Sequence, residues 1–204
     1  MAETKDRILE AALRLFARDG YEAVSTSAIA GELGMAKSAL YKHFPDKRAI
    51  FDSLVELMLE RHRRVGEASG LETGAVQTAA QAYASADSAS MADLGEALFR
   101  YWTLDESAVA FRHLLSIERF RDSRVEQVYD ELFVGGKLRY HARLFASMME
   151  AGAFEVRDAV SAALEFWSPI ALLMDAVDGG MNEDEAIAMV RAHVLAFAQK
   201  HVRG

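Results

Sequence analysis

The chain has 204 residues, 51% hydrophobic and 26% charged, with no cysteine and a formal net charge of −8. That length suits one large domain or a small domain joined to a larger one, and the apolar content is enough for a packed core. The missing cysteines exclude disulfides, thiolate zinc sites and cysteine nucleophiles, and suit a reducing cytosol. The opening MAETKDRILE has no signal-peptide run, and no apolar stretch is read as approaching the roughly 20 residues of a membrane span. The expectation is a soluble, cytoplasmic protein with no membrane partner. Charge is uneven: residues 1–50 carry +1, residues 51–64 balance, and residues 65–204 carry −9. A near-neutral head still neutralises phosphates when its few cations share a face.

Only two prolines interrupt the chain, and apolar residues recur at helical spacing almost throughout. Ile8, Ala12, Leu15 and Phe16 fall on one face of a first helix, with Thr4 as its expected N-cap and Asp19-Gly20 as its end. A second short helix is expected to start at Thr26 or Ser27 and stop at Gly34. A third covers 37–43, ahead of Pro45, which pushes its predecessor out of the helical region. From 47 a longer helix places Ile50, Leu54, Leu57 and Met58 on one stripe and ends in Arg61-His62-Arg63-Arg64, where cations suit the C-terminal dipole. GEASGLETG at 66–74 reads as a linker. Further helices are expected near 73–86, 91–103, 105–120, 122–151, 155–178 and 183–202. Gly135-Gly136 interrupts the longest of them, Pro169 kinks its own, and Asn182 caps the last. The class is all-α, about nine helices, with no strand.

The informative stretch is STSAIAGELGMAKSALYKHFPDKR, residues 25–48. It reads as two short helices joined at Leu33-Gly34-Met35-Ala36, the glycine supplying the tight turn of a helix-turn-helix. Ile29, Ala30 and Leu33 form the inner face of the first helix, and Leu40 and Phe44, four apart, that of the second. Lys37, Ser38, Ala39, Tyr41, Lys42 and His43 remain outside. Short or hydrogen-bonding side chains interleaved with cations are what a helix lying in the major groove requires.

This stretch resembles the DNA-binding segment of the TetR family of repressors. Ile29-Ala30, Leu33-Gly34, Lys37-Ser38, Leu40-Tyr41, His43-Phe44 and Lys47 stand at that family's spacing, and the preceding helix with Phe16 and its Gly20-Tyr21 end also fits. The match covers about residues 5–55. The resemblance implies a three-helix helix-turn-helix DNA-binding domain over 1–48 and a helical ligand-binding and dimerisation domain over 49–204, with 47–65 as connecting helix. It implies phosphate contacts from Tyr41 and Lys47, and from Thr26 or Ser27 at a helix N-terminus. Lys37, Ser38, Ala39, Lys42 and His43 would face base edges or flanking phosphates. Ala36 is also on that DNA-facing surface but departs from the family, which often places Ser or Thr there; the change costs about 1 kcal/mol of cap stability.

Beyond residue 65 the resemblance carries no motif. Residues 170–174 are apolar on nearly all sides, and Ile187, Val190, Val194 and Phe197 form a stripe on the last helix. Operators with two half-sites call for a two-fold dimer, so Trp167, Ile170, Met174, Ile187, Val190, Val194 and Phe197 are the expected homodimer interface, with internal core as the alternative. Aromatics and methionines are dense between 83 and 174, mostly as core. A minority would line a cavity for a small apolar or amphipathic ligand, with Met58, Tyr83, Trp102, His113, Ile117 and Trp167 as candidates.

Enzyme signatures are missing. No histidine has an acid three or four residues before it or a second histidine four away, Ser69 sits in GEASG and not G-x-S-x-G, and no phosphate loop or dinucleotide fingerprint occurs. No catalytic residue, metal or cofactor is expected. Two readings of the whole chain follow. One is a ligand-responsive repressor on double-stranded operator DNA; the other is a helical ligand-binding or interaction protein with an inactive DNA head.

Overall fold

Ten helices and no strand are found among the residues described by the computed structural model, which are 2–68, 76, 80 and 87–202. They are α1 Ala2–Asp19, α2 Thr26–Glu32, α3 Lys37–Tyr41, α4 Lys47–Ala68, α5 Ser88–Leu104, α6 Glu106–Glu118, α7 Ser123–Phe133, α8 Gly135–Glu150, α9 Ala159–Asp178 and α10 Glu183–His201. The all-α class is as expected, and the extended pairing seen is a single bridge between Phe154 and Val202.

Local chemistry explains where these helices begin and end, and several boundaries differ from expectation. Asn182 caps α10 by accepting from the Glu185 amide at 3.0 Å, as read from the sequence. Asp87 and Asp158 do the same for α5 and α9, each at 2.7 Å. Thr4 lies inside α1, which already starts at Ala2. The linker expected at 66–74 begins as helix, since α4 runs on to Ala68; its remainder and most of the 73–86 helix lie outside the described residues. The single helix expected over 122–151 is two, broken at Val134 (φ −126°, ψ −98°). Gly136 explains the tightness of that break, because a Cβ there would stand 2.1 Å from the Glu131 carbonyl oxygen. α9 starts at 159 and not 155, because the Glu155 amide is drawn to the His201 carbonyl at 2.9 Å.

The chain forms two compact units, residues 1–63 with 106–129, and residues 64–105 with 130–204. In the first, α1 packs along α6. Ile8 and Phe16 of α1, Ile29, Leu40, Ile50 and Leu54, and Phe111, Leu114 and Leu115 of α6 are fully buried. Tyr21 closes this core with its ring 5.4 Å from Phe16 and 4.8 Å from Phe51. In the second unit α5 packs on α10, α8 on α9, and α9 on α10. Gly95 permits the first of these crossings, since a Cβ there would lie 3.0 Å from Val194 Cγ2. Phe145, Met148, Phe154, Ala162 and Phe197 share a core.

α9 corrects one expectation. Its 20 residues are long and apolar enough, by length and composition alone, to cross a membrane. Ala162, Ala163, Ile170, Leu173 and Met174 are buried in the second unit, whereas Val160, Leu164 and Leu172 are exposed.

The start of α9 and the end of α10 are tied by polar contacts. Buried His201 meets Glu155 through Nδ1 at 2.6 Å and Glu165 through Nε2 at 3.1 Å, and Glu165 also pairs with Arg157 at 2.8 Å and Lys200 at 3.1 Å. The hydrogen bond from His201, helped by those of Lys200 and Arg157, holds the Glu165 carboxyl down at about 2 against the desolvation that opposes it. A carboxyl lowered on folding adds stability above its unfolded value, and that contribution fades as pH falls from about 4.5 toward 2. Glu165→Gln is therefore expected to unfold at lower urea than the parent at pH 7, with the gap closing across that acid window; a gap independent of pH would contradict the network.

Candidate nucleic-acid interface

α2 starts at Thr26, as expected, and Ser25 is its N-cap: an extended backbone (φ −97°, ψ 157°) lets the Ser25 side chain accept from the Ala28 amide at 3.0 Å. Ile29 and Ala30 are buried as expected, while Leu33 is half-buried at the helix end. Gly34 adopts φ +62°, a conformation that favours glycine, and the Met35 amide returns to the Ala30 carbonyl at 3.0 Å. The turn thus closes without help from side chains.

α3 follows with no side-chain cap, because Ala36 has only a methyl group to offer. The helix is shorter than the expected 37–43, ending at Tyr41. Its backbone bonding continues as turns, His43 to Leu40 at 2.9 Å and Phe44 to Leu40 at 3.1 Å. Leu40 is 0% and Phe44 4% exposed. Ser27, Ala36, Lys37, Ser38, Tyr41 and Lys42 are exposed, and Ala39 and His43 are half-buried. The polar side of α3 faces out and its two anchors face in.

The remaining candidates are already engaged within the head. Thr26 is buried, and its hydroxyl lies 3.2 Å from that of Tyr41, so these two positions act as a pair across the α2–α3 turn. Lys47, the first residue of α4, donates to the Tyr21 carbonyl at 2.8 Å and the Glu22 carbonyl at 3.3 Å, with its ammonium 4.2 Å from the Tyr21 ring centre. An ammonium has three donors, so one remains for an outside acceptor. Lys37 lies 5.7 Å over the Tyr41 ring, which steadies both exposed side chains.

The ligand candidates do not gather in one unit. Buried Met58, half-buried His113 and exposed Ile117 belong to the first unit. In the second, buried Trp102 packs edge-on to Phe133 at 4.7 Å, and half-buried Trp167 donates to the Phe133 carbonyl at 2.9 Å while stacking on His141 at 5.6 Å. Tyr83 lies outside the described residues.

The expected interface residues need correction. Ile170, Met174, Ile187, Val190, Val194 and Phe197 are all buried within the protomer. A side chain covered by its own chain has no surface to give a partner. Trp167 is half-buried and bonded as above. The uncovered side of the same two helices carries Val160, Leu164, Ser168 and Leu172 at four-residue spacing on α9, and Ala188, Met189, Ala192 and Ala196 on α10. That spacing was legible; the more apolar stripe was chosen because apolarity alone does not separate core from contact.

Sequence reasoning also passed over Glu118. It continues the buried stripe Phe111, Leu114, Leu115 of α6, and its carboxylate accepts the Tyr21 amide at 2.9 Å. An acid at the fourth position of an apolar i, i+3, i+4, i+7 series was the available signal.

Comparison with known proteins agrees with this geometry. Residues 8–54 match the model of the family described as bacterial regulatory proteins, tetR family. The HTH-type transcriptional regulator YerO of Bacillus subtilis (strain 168), itself uncharacterised, is 43% identical over 56 residues, 28% of this chain and 19% of YerO. The nucleoid occlusion factor SlmA of Escherichia coli O1:K1 / APEC is 40% identical over 55 residues, 26% of this chain and 28% of SlmA. The match thus spans less than a third of either relative. Among solved structures, a TetR-like transcriptional regulator from Rhodococcus sp. RHA1 superposes with TM-score 0.67 at 17% identity over 95% of this chain and 94% of that one. SmeT, the repressor of the Stenotrophomonas maltophilia multidrug efflux pump SmeDEF, has been solved with triclosan; that complex gives 0.62 at 18% identity over 98% of this chain and 92% of SmeT.

The uncapped α3 gives a direct test of this local account. Ala36→Ser restores an acceptor at the cap and is expected to stabilise the protein by about 1 kcal/mol, read as a higher urea midpoint. An unchanged or lower midpoint would show that the α3 amides are satisfied some other way.

Proposed function

We propose that this chain, whose residues 8–54 match the model of the tetR family, is a transcriptional regulator of that family and a cytoplasmic repressor. It binds double-stranded operator DNA as a homodimer and leaves it when a small apolar or amphipathic molecule binds. The observation that carries the reading is the outward presentation of Lys37, Ser38, Tyr41 and Lys42 over the buried anchors Leu40 and Phe44.

In this reading residues 1–48 read DNA, and residues 49–204 bind ligand and dimerise. Tyr41, Lys47 and the Thr26–Ser27 helix start hold phosphates, while Lys37, Ser38, Ala39, Lys42 and His43 reach base edges or flanking phosphates. Ala36 adds close contact without a hydroxyl. The dimer forms through the uncovered apolar stripes of α9 and α10, two helices from each protomer, which fixes two recognition helices at half-sites about 34 Å apart. That assignment removes Leu172 and Leu164 from water, and it accounts for a helix as apolar as α9 within a stretch, residues 65–204, that is otherwise rich in acids. The charge of residues 65–204 disfavours their approach to DNA, leaving the head as the binding end. Ligand would lodge among aromatics such as Trp102 and Trp167, in keeping with the triclosan held by SmeT. It would favour a state whose heads no longer match the half-sites.

Affinity for a random duplex is expected to fall about 10³-fold between roughly 50 and 200 mM salt, as for some six phosphate contacts. Lys47→Ala is expected to lower the salt slope by about two per dimer, one cation from each head, whereas neutral Tyr41→Ala lowers affinity with little change of slope. A wild type that binds no duplex at low salt would favour the inactive-head reading. Leu172→Asp is expected to convert dimer to monomer in sedimentation while keeping the helical spectrum of the parent; a dimer that survives it would place the interface elsewhere.

A further inference from the structure

The first unit contains a second piece of chain, residues 106–129, that the helix-turn-helix does not need for its own turn. This piece grips the head at two places. At the end of α6, buried Glu118 accepts the Tyr21 amide at 2.9 Å, across 97 positions of sequence. Gly20, at φ +81°, takes the left-handed conformation that favours glycine and so turns the chain at the residue before Tyr21. A buried carboxylate is tolerated only when it is bonded, and here the Tyr21 amide is joined by Arg121 at 3.7 Å. At the start of α7, Asp122 uses one oxygen to cap the helix, accepting the Arg124 amide at 2.9 Å, and the other to hold the Arg48 guanidinium. Arg124 then reaches back to Asp52 at 3.0 Å and Glu56 at 3.3 Å on α4.

Both grips meet at Lys47. Tyr21 is held through its amide by Glu118 and through its carbonyl by Lys47, and Arg48 is the next residue along α4. The 106–129 piece is joined covalently to the other unit at both of its ends, between 105 and 106 and between 129 and 130. We propose that Glu118 and Asp122 are positioning residues of the DNA head: from the α6–α7 junction they fix the Gly20–Tyr21 turn and the N-terminus of α4, and so set the angle at which α3 and Lys47 are presented. The inference rests on the DNA-binding reading above and adds the part of the chain that aims the binding surface.

The test uses the full-length protein, a two-half-site duplex of about 40 base pairs selected by the wild type from a random pool, and an unselected duplex of the same length. Glu118→Ala loses one charge-assisted bond per protomer and is expected to weaken binding to the selected duplex about tenfold or more while changing binding to the unselected duplex little. Its Tyr21 amide should exchange faster with solvent. Glu118→Gln keeps an acceptor oxygen and should restore most of the selectivity, and Asp122→Asn, which keeps the α7 cap but weakens the pair with Arg48, should fall between. Equal loss on both duplexes together with a lower melting temperature would make Glu118 merely structural and overturn the proposal. So would faster Tyr21 exchange with unchanged selectivity. A wild type that retains no duplex from the pool would remove the DNA reading itself, a different failure from either of these.

Discussion

A helix of five residues cannot hold itself together in water, because helix nucleation is costly and isolated helices shorter than about 12 residues are marginal. α3 is such a helix, and Ala36 gives it no side-chain cap. What orders it is the burial of Leu40 and Phe44 beneath it, each side chain contributing about 1.5–3 kcal/mol, together with the turn closed at Gly34. The same two anchors decide which way the helix faces. Once Leu40 and Phe44 point in, Lys37, Ser38, Tyr41 and Lys42 have nowhere to go but out, and the surface proposed to meet DNA is a by-product of how the helix is held.

The head is therefore only as well aimed as the core under it. That core is shared: Phe16, Ile29, Leu40 and Ile50 come from the first four helices, but Phe111, Leu114 and Leu115 come from α6. Residues that lie more than sixty positions downstream of the helix-turn-helix complete its foundation. Glu118 and Asp122 extend that foundation to the polar layer, where Tyr21, Lys47 and Arg48 are held by directional bonds in place of apolar contact. Apolar packing tolerates small rotations; paired hydrogen bonds hold one angle, which is the property an aiming device needs.

How much of this was legible in the chain depended on the range of the interaction. Short-range chemistry read well: Gly34 at its turn, Asn182 at its cap, the inward Leu40 and Phe44, and the missing cap at Ala36 all follow from residues within four positions. The family resemblance lay in the same stretch, where spacing is fixed by one small motif. Long-range facts did not read. The stripe Ile187, Val190, Val194, Phe197 and the stripe Ala188, Met189, Ala192, Ala196 occupy different sides of one helix, and only tertiary packing against α5 and α9 reveals which is covered. The role of α6 in the head was likewise hidden: the periodic stripe marks Glu118 as an acid on a buried face, but nothing in it names Tyr21 as the partner. Ser25 shows the intermediate case. The helix start at Thr26 or Ser27 was legible, but which of three neighbouring hydroxyls caps it was not: Ser25 does, while the Thr26 hydroxyl faces Tyr41.

DNA binding as proposed lays the outward side of α3, with its flanks, along a duplex. Amide hydrogen exchange measured with and without bound duplex tests it most directly, because it reports each stretch of chain in the intact protein. Protection confined to residues 25–27, 36–43 and the start of α4 is the expected result. Protection on α9 and α10 with none on α3, or no change along the chain at a duplex concentration that saturates binding, would contradict it.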